Sequence, residues 1–442
     1  MLEKNNKKVI NAWCMYDWAN SVYSLTIISA IFPIYFSTVA KGPDGSDVIT
    51  FLGISKQNSV IYTYSISAAF LAIAFLSPLL SGIADFSGRK KTFMRFFVYL
   101  GACSCMMLYF FDGTTITLGI ISFMLATIGF AGSLVFYNAY LPEIATPDRH
   151  DQISAKGFAY GYIGSILLLI INIAMIQMPE FFGMQKGTTL PARLSFFSVG
   201  VWWLAFAHYS LHYLPSGKKA TEKSLKYLTH GFRELKNVFS ALRKMPLLMV
   251  FLVAFFFYSM GFQTIMYLAS IFGANELKIP ETGLIITILL IQIIAIAGAY
   301  LFAFLSSRIG NIRTLSIALI ICIFICVGAW LTHTAAQFYA LAVVVGLIMG
   351  GLQSLSRSTY SKLLPETKDT ASYFSFYEFT EKIGIVLGTG IYALITDLTG
   401  SMRNSIIALL VFFLIGLILL LRLKALNGRI VEPVMGVDEV IN

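Results

Sequence analysis

Five ionisable side chains stand inside long apolar runs of this chain: Asp17, Arg357, Glu378, Glu381 and Lys382. A charge in a hydrocarbon environment is costly, so each is a candidate for proton binding, substrate binding or ion pairing. Asp17 is followed by Asn20, Ser21 and Ser24, three, four and seven residues on, which forms a polar stripe along one helical face. A cavity-facing carboxylate there could take a proton or a substrate ammonium; fixed by hydrogen bonds to neighbouring helices, it would instead lock their packing. Glu378 and Lys382 are four apart with the glutamate first, the favourable order for an intrahelical pair. That leaves Glu381 with excess negative charge nearby. Arg357 is expected at similar depth, within reach of one of the glutamates, as a switchable pair or a permanent clamp. Gln292 and Gln353 fall near the middle of their runs, and Tyr16, Tyr23, Tyr137, Asn138 and Tyr258 add hydrogen-bonding capacity. Each could contact a small zwitterion or join two helices.

The elements that must position these groups follow from composition. The 442 residues are 57% hydrophobic and 12% charged, with a mean hydropathy of +0.77. Soluble domains carry about 45–50% apolar and about 25% charged residues, so a soluble enzyme, a nucleic-acid-binding module and a disordered chain are excluded. Twelve apolar runs can be delimited, at approximately 9–39, 58–83, 93–111, 116–141, 156–178, 193–214, 246–272, 282–305, 312–332, 335–361, 371–396 and 403–423. Each is long enough to cross a bilayer as a helix. The chain therefore reads as an all-α polytopic membrane protein. The five cysteines lie in apolar segments without histidine partners at ligand spacing, so no metal site or cofactor is expected.

The net charge of +10 is a topology signal rather than a nucleic-acid surface. The termini and even-numbered connections hold 24 Lys and Arg, the odd-numbered connections 6, which predicts both termini in the cytoplasm. Residues 215–245 carry eight of these charges, and Leu225, Leu228, Phe232, Leu235, Val238, Phe239 and Leu242 recur at three- and four-residue steps. This pattern predicts an amphipathic linker helix on the membrane surface, against anionic lipid. The expected organisation is a six-helix bundle over 1–214, the linker 215–245, a second six-helix bundle over 246–425 and a cytoplasmic tail 426–442.

The halves echo each other. Asp85-Phe-Ser-Gly88-Arg89-Lys90-Lys91 follows span 2, and Ser307-Arg308-Ile-Gly310-Asn-Ile-Arg313 follows span 8, with the glycines 222 apart. Leu141-Pro142-Glu143 and Leu364-Pro365-Glu366 are 223 apart, as are Gly161 and Gly384. A nearly constant offset at three equivalent topological places indicates two pseudo-symmetric halves. The segment Asp85 to Lys91 resembles the loop signature of the major facilitator superfamily, with Ser81 at its first glycine position and Phe86 at its first basic one. Trp13-Cys-Met-Tyr16-Asp17-Trp18-Ala-Asn20-Ser21, Phe136-Tyr137-Asn138-Ala-Tyr140-Leu-Pro142-Glu143 and Gly350-Gly351-Leu-Gln353-Ser-Leu-Ser-Arg357-Ser resemble the vacuole-effluxer family, whose fungal members export amino acids from the vacuole.

The resemblance implies the major facilitator fold and a gating loop at Asp85, Gly88, Arg89 and Lys90. Asp85 would sit near the N-terminus of span 11, where the helix dipole favours a carboxylate. Ser307 replaces it in the second half, so a matching gate there is expected to be weaker. The function expected is secondary active export of a small organic solute, amino acids in the leading reading, by alternating access coupled to protons. Export of amphiphiles (bile-type detergents, drugs or lipids) is the alternative, and an intramembrane transferase the third reading. Expected partners are a small-molecule substrate, membrane lipid and protons, for a monomer without nucleic acid, in a bacterial inner (plasma) membrane.

Overall fold

The computed structural model describes residues 3–217 and 227–431. Its first helix, α1 (Lys7–Val22), starts where the Asn6 side chain accepts from the Lys8 and Val9 amides. It continues as a π-helix over Tyr23–Ala30 and breaks at Ile31 before α2 (Phe32–Val39), with a 43° bend. Pro33 explains the break, because it cannot donate to the preceding turn and its ring crowds it. The run expected as one span is thus a broken one. A hairpin of β1 (Val48–Phe51) and β2 (Ile54–Gln57) follows, pairing Val48 with Gln57 and turning at Leu52 and Gly53, both at positive φ.

The rest is helical: α3 (Asn58–Ser87), α4 (Lys90–Met107), α5 (Ile116–Asn138), the single turn α6 (Leu141–Ile144), α7 (His150–Gln177), α8 (Leu190–Tyr213), α9 (Tyr227–Arg243), α10 (Pro246–Leu277), α11 (Glu281–Ile309), α12 (Asn311–Leu331), α13 (Ala335–Leu363), α14 (Thr370–Thr399) and α15 (Met402–Val431). Among the described residues, eleven helices are long and apolar enough to cross a membrane, and the bent pair at the N-terminus makes twelve.

Packing repeats between halves. In the first, α1 lies against α7 and α8, α4 against α5 and α8, and α3 against α5. In the second, α10 lies against α14 and α15, α12 against α13 and α15, and α11 against α13. Each pair has its counterpart. The seam obeys the same symmetry, with α3 against α14 and α7 against α11. This is the major facilitator architecture of two pseudo-symmetric six-helix bundles.

Small residues set the closest approaches. A Cβ on Gly350 of α13 would lie 1.9 Å from the Ala295 carbonyl oxygen of α11. One on Gly157 of α7 would lie 2.6 Å from Asp17 Oδ2 of α1. Outside, Phe75, Phe324 and Ile418 are exposed, as a lipid-facing surface requires.

The linker helix α9 packs on α3, α10 and α14. Val238 and Leu242 are buried, and Phe239 stacks on Phe376 at 6.0 Å. Leu225 and the tail beyond residue 431 lie outside the described residues, as do the side chains of Leu228, Phe232 and Leu235.

Candidate functional site

The polar stripe of α1 faces the seam. Asp17, Asn20, Ser21 and Ser24 line one cavity of about 190 Å³, together with Asn138, Gln292, Gln353, Arg357, Glu378, Glu381 and Lys382 from both halves. Aromatic rings complete the wall, among them Phe70, Phe158, Tyr162, Tyr258, Tyr267 and Tyr377.

A polar chain crosses the seam on the cavity wall. Asp17 Oδ2 accepts from Tyr137 Oη at 2.6 Å and pairs with Arg357 Nη1 at 3.2 Å. Arg357, expected to reach a glutamate, is taken instead by Asp17. It meets Glu378 only through Asn138, whose Oδ1 accepts from Arg357 Nη1 at 3.2 Å and whose Nδ2 donates to Glu378 Oε1 at 2.7 Å. The physical reason is reach across a tight crossing: Gly157 lets α1 and α7 close, and Trp13 and Phe158 hold the guanidinium at 4.6 and 4.2 Å from their ring centres. Lys382 Nζ then sits 3.1 Å from Glu378 Oε2 and 2.5 Å from Glu381 Oε2. Gln263 Nε2 closes the chain on Glu381 Oε1 at 2.8 Å.

Other named residues fall differently. Gln353 accepts from Tyr162 Oη at 2.8 Å across the seam. Gln292 lines the cavity with an unpartnered Oε1. Tyr137 serves the site from behind Asp17 and does not line the cavity. Tyr23 stands apart: its hydroxyl shares a 2.7 Å hydrogen bond with Thr127 inside the first half.

At the end that carries the termini, two latches hold the halves together. Asp85 of α3 accepts from the Ser372 amide at 2.7 Å, the Ser372 hydroxyl at 2.8 Å and the Ala371 amide at 3.3 Å, at the N-terminus of α14. Gly88 caps α3 at positive φ. Lys90 bonds Glu143 and, at 2.6 Å, Thr370 Oγ1. Arg89 is exposed.

The second latch, on α7 and α11, has inverted polarity. Ser307 bonds locally to Phe304, while the adjacent Ser306 donates to Asp151 of α7 at 2.8 Å. Asp151 also takes Asn311 Nδ2 at 2.7 Å and Lys362 Nζ at 2.6 Å. Sequence reasoning missed Asp151, Ser306, Asn311 and Gln263. Lys362 enters the sequence pattern only as one of the 24 basic residues of the termini and even-numbered connections. Asp151 in the first turn of its span was the available signal.

At the opposite end a second cavity, of about 500 Å³, opens between α2, α3, α10 and α11, lined mainly by apolar side chains such as Leu25, Ile28, Ile66 and Ile288. Phe70, Tyr267, Gln292 and Ile385 line both cavities, and the Phe70 and Tyr267 rings meet edge to face at 6.5 Å. The seam is thus latched at the terminus-bearing end, and its cavities lie toward the other.

Comparison with known proteins decides the family. The description "Vacuole effluxer Atg22 like" matches residues 5–431. The chain belongs to that family. The uncharacterized MFS-type transporter YxiO of Bacillus subtilis (strain 168) is 31% identical over 418 residues, 94% of this chain and 95% of YxiO. Autophagy-related protein 22-1 of Penicillium rubens is 23% identical over 550 residues, 96% of this chain and 91% of that protein. Among solved structures, the major facilitator superfamily transporter FucP in its outward conformation superposes with a TM-score of 0.70 at 12% identity, covering 94% of this chain and 98% of FucP. This effluxer-family chain is therefore an integral membrane transporter of the major facilitator type, not an enzyme.

Proposed function

We propose that the protein is a secondary active transporter that exports a small organic solute, amino acids in the first instance, by alternating access with proton coupling. The observation that carries this reading is the set of five charged side chains, drawn from both halves, on one buried cavity. Asp17–Arg357, Asn138–Glu378 and both latches cross the seam, so opening the terminus-bearing end must break all of them together. Protonation of a carboxylate lowers the cost of that break, which is how a proton gradient would drive it. In this reading the termini are cytoplasmic, the membrane is the bacterial inner (plasma) membrane, and a monomer suffices. Residues 1–214 and 246–425 would rock against each other about the linker 215–245, with 426–442 as a tail.

A cavity of about 190 Å³ is below the roughly 300–1,000 Å³ of sites for drug-sized ligands, which favours a small solute. The apolar wall of the outer cavity supports the second reading, export of amphiphiles. Counterflow in proteoliposomes, with purified protein and a panel of labelled amino acids, with and without a pH gradient, tests the choice. Exchange of one amino-acid class supports the first reading, and accumulation driven by the pH gradient its proton coupling. No exchange by folded protein moves the assignment to amphiphiles.

A further inference from the structure

The cavity is unbalanced in charge, and its cations are already engaged. Three carboxylates (Asp17, Glu378, Glu381) face two cations (Arg357, Lys382), leaving one negative charge in excess. All five guanidinium N–H groups of Arg357 have acceptors: Nε bonds Ser154 Oγ at 2.9 Å, Nη1 bonds Asp17 and Asn138 at 3.2 Å each, and Nη2 bonds Asp17 at 3.3 Å and the Ser154 carbonyl at 2.9 Å. Lys382 already serves two carboxylates. A substrate carboxylate entering this cavity would meet a cation only at the remaining N–H of Lys382, whose charge two carboxylates already outweigh. A substrate cation would find a surplus anion.

Of the three carboxylates Glu381 is the best placed to meet a substrate, with Lys382 on one oxygen and Gln263 on the other. Its side chain is 17% exposed, against 7% for Asp17 and 4% for Glu378, so it is the carboxylate most open to the cavity. Ser259 Oγ and Gln292 Oε1, both buried and lining the cavity, have no hydrogen-bond partner among the described residues. Either can accept from an ammonium, as can the ring faces of Phe70, Tyr258 and Tyr267. Charged and titratable groups around Glu381 are Lys382, Glu378 and Tyr377 on α14, and Tyr258 and Tyr267 on α10, with Gln263 bonded to it from α10. From α3 it is Phe70, a neutral ring, that borders the cavity.

We propose that Glu381 is the shared site of the coupling proton and of the positively charged group of a substrate of net charge +1, an amine or a basic amino acid. This rests on reading the chain as an exporter of small organic solutes. With the outer side open, the substrate ammonium leaves Glu381 and a proton from outside forms the carboxyl O–H. With the inner side open, that O–H releases its proton and the next ammonium takes its place. One proton enters for each single positive charge that leaves, so the exchange moves no net charge. Arg357 and Asp17 hold the halves together and do not bind substrate in this state.

The test uses the full-length protein in proteoliposomes with three labels, L-lysine, L-leucine and L-glutamate, of charge +1, 0 and −1. A pH gradient, acid inside, is expected to accumulate lysine at least about tenfold over leucine, the discrimination that one unmatched charge in a partly buried site supplies. Glutamate should not accumulate. A potassium diffusion potential set with valinomycin should drive no lysine accumulation. In detergent and weak buffer, lysine or benzylammonium chloride added at matched pH should release protons from the wild type. Glu381→Gln should abolish both the release and the gradient-driven accumulation, and Glu381→Asp should restore release.

Lysine exchange without proton release, equal release from a folded Glu381→Gln variant, or leucine transported as well as lysine would each overturn the inference while the transport reading stands. If no amino acid exchanges but benzylammonium still releases a proton that depends on Glu381, the amino-acid assignment fails and the shared site survives. Neither exchange nor release from folded protein refutes both.

Discussion

Arg357→Gln gives the sharpest test of the lattice that joins the two halves. The substitution removes a guanidinium with five hydrogen bonds, its ion pair among them, all within a buried environment, and among the described residues leaves the Asp17 carboxylate only the hydrogen bond from the Tyr137 hydroxyl. Removing one partner of a buried pair costs about 3–5 kcal/mol, because the other charge stays desolvated. Most of that cost falls on the latched state: Asp17 on α1 and Arg357 on α13 lie on opposite sides of the seam, and opening admits water to the bared carboxylate. At about 1.4 kcal/mol per factor of ten, the ratio of latched to open molecules should fall by two to three and a half powers of ten.

Spin labels at Asp148→Cys and Arg313→Cys report the change. Both positions are exposed. They flank the 2.7 Å bond between Asp151 and Asn311, one on each half. Cys103, the exposed native cysteine among five, is replaced by serine. Pulsed electron-paramagnetic-resonance distances should move from a short population in the parent to a long one in Arg357→Gln. Asp17→Asn, which strands the arginine, should move the same way. The double variant Asp17→Asn/Arg357→Gln buries no unpaired charge, so it should recover at least half of the short population. Unchanged distances in Arg357→Gln, or a double variant as displaced as that single one, would refute the reasoning.

Two further outcomes follow from the same contacts. Asp85→Asn retains one acceptor for the α14 N-terminus but loses the charge, a loss of about 0.3–2 kcal/mol of latched-state stability; the same label pair should register it as a several-fold smaller shift than Arg357→Gln. Gly350→Ala places a Cβ 1.9 Å from the Ala295 carbonyl oxygen, so α11 and α13 must part at a cost of about 1–3 kcal/mol. A lowered unfolding temperature by tryptophan fluorescence, with no change in latched fraction, is expected.

Much of the site could be read from the sequence because charge in an apolar run is rare enough to stand out. Asp17, Arg357, Glu378, Glu381 and Lys382 were visible for that reason, and the spacing of Glu378 and Lys382 contained their 3.1 Å contact. Which charge meets which was not visible. Asp17 and Arg357 are 340 residues apart, and their meeting depends on the α1–α7 crossing at Gly157, on rings from two helices and on Ser154. Tyr23 is a different case. At about 100° per residue it stands roughly 110° round the helix from the centre of the Asp17–Asn20–Ser21–Ser24 stripe, so a helix that is regular up to Val22 already turns the ring away from the cavity, to Thr127. The second latch escaped for want of symmetry. The repeat pointed to Ser307 as the equivalent of Asp85, whereas the carboxylate had moved across the seam to Asp151, at a span end where charge is ordinary.

That displacement bears on how the two access states are balanced. In the α3–α14 latch the first half supplies the acceptor, Asp85, and the second half supplies amide and hydroxyl donors. In the α7–α11 latch Asp151 again places the acceptor on the first half, with Ser306, Asn311 and Lys362 donating from the second. Exact symmetry would have exchanged these roles. Both latches therefore present carboxylates of one half to donors of the other, and the Asp17–Arg357 pair repeats that polarity deeper in the seam. At all three levels a carboxylate of the first half accepts from donors of the second, and at two of them a cation, Lys362 or Arg357, is among those donors. Opening must then bare those carboxylates and their donors, where water stabilises them. The closed state depends on pairing and the open state on solvation, so protonating a carboxylate in this lattice weakens the first without a matching loss in the second. A coupling proton needs only that asymmetry to shift the balance of access.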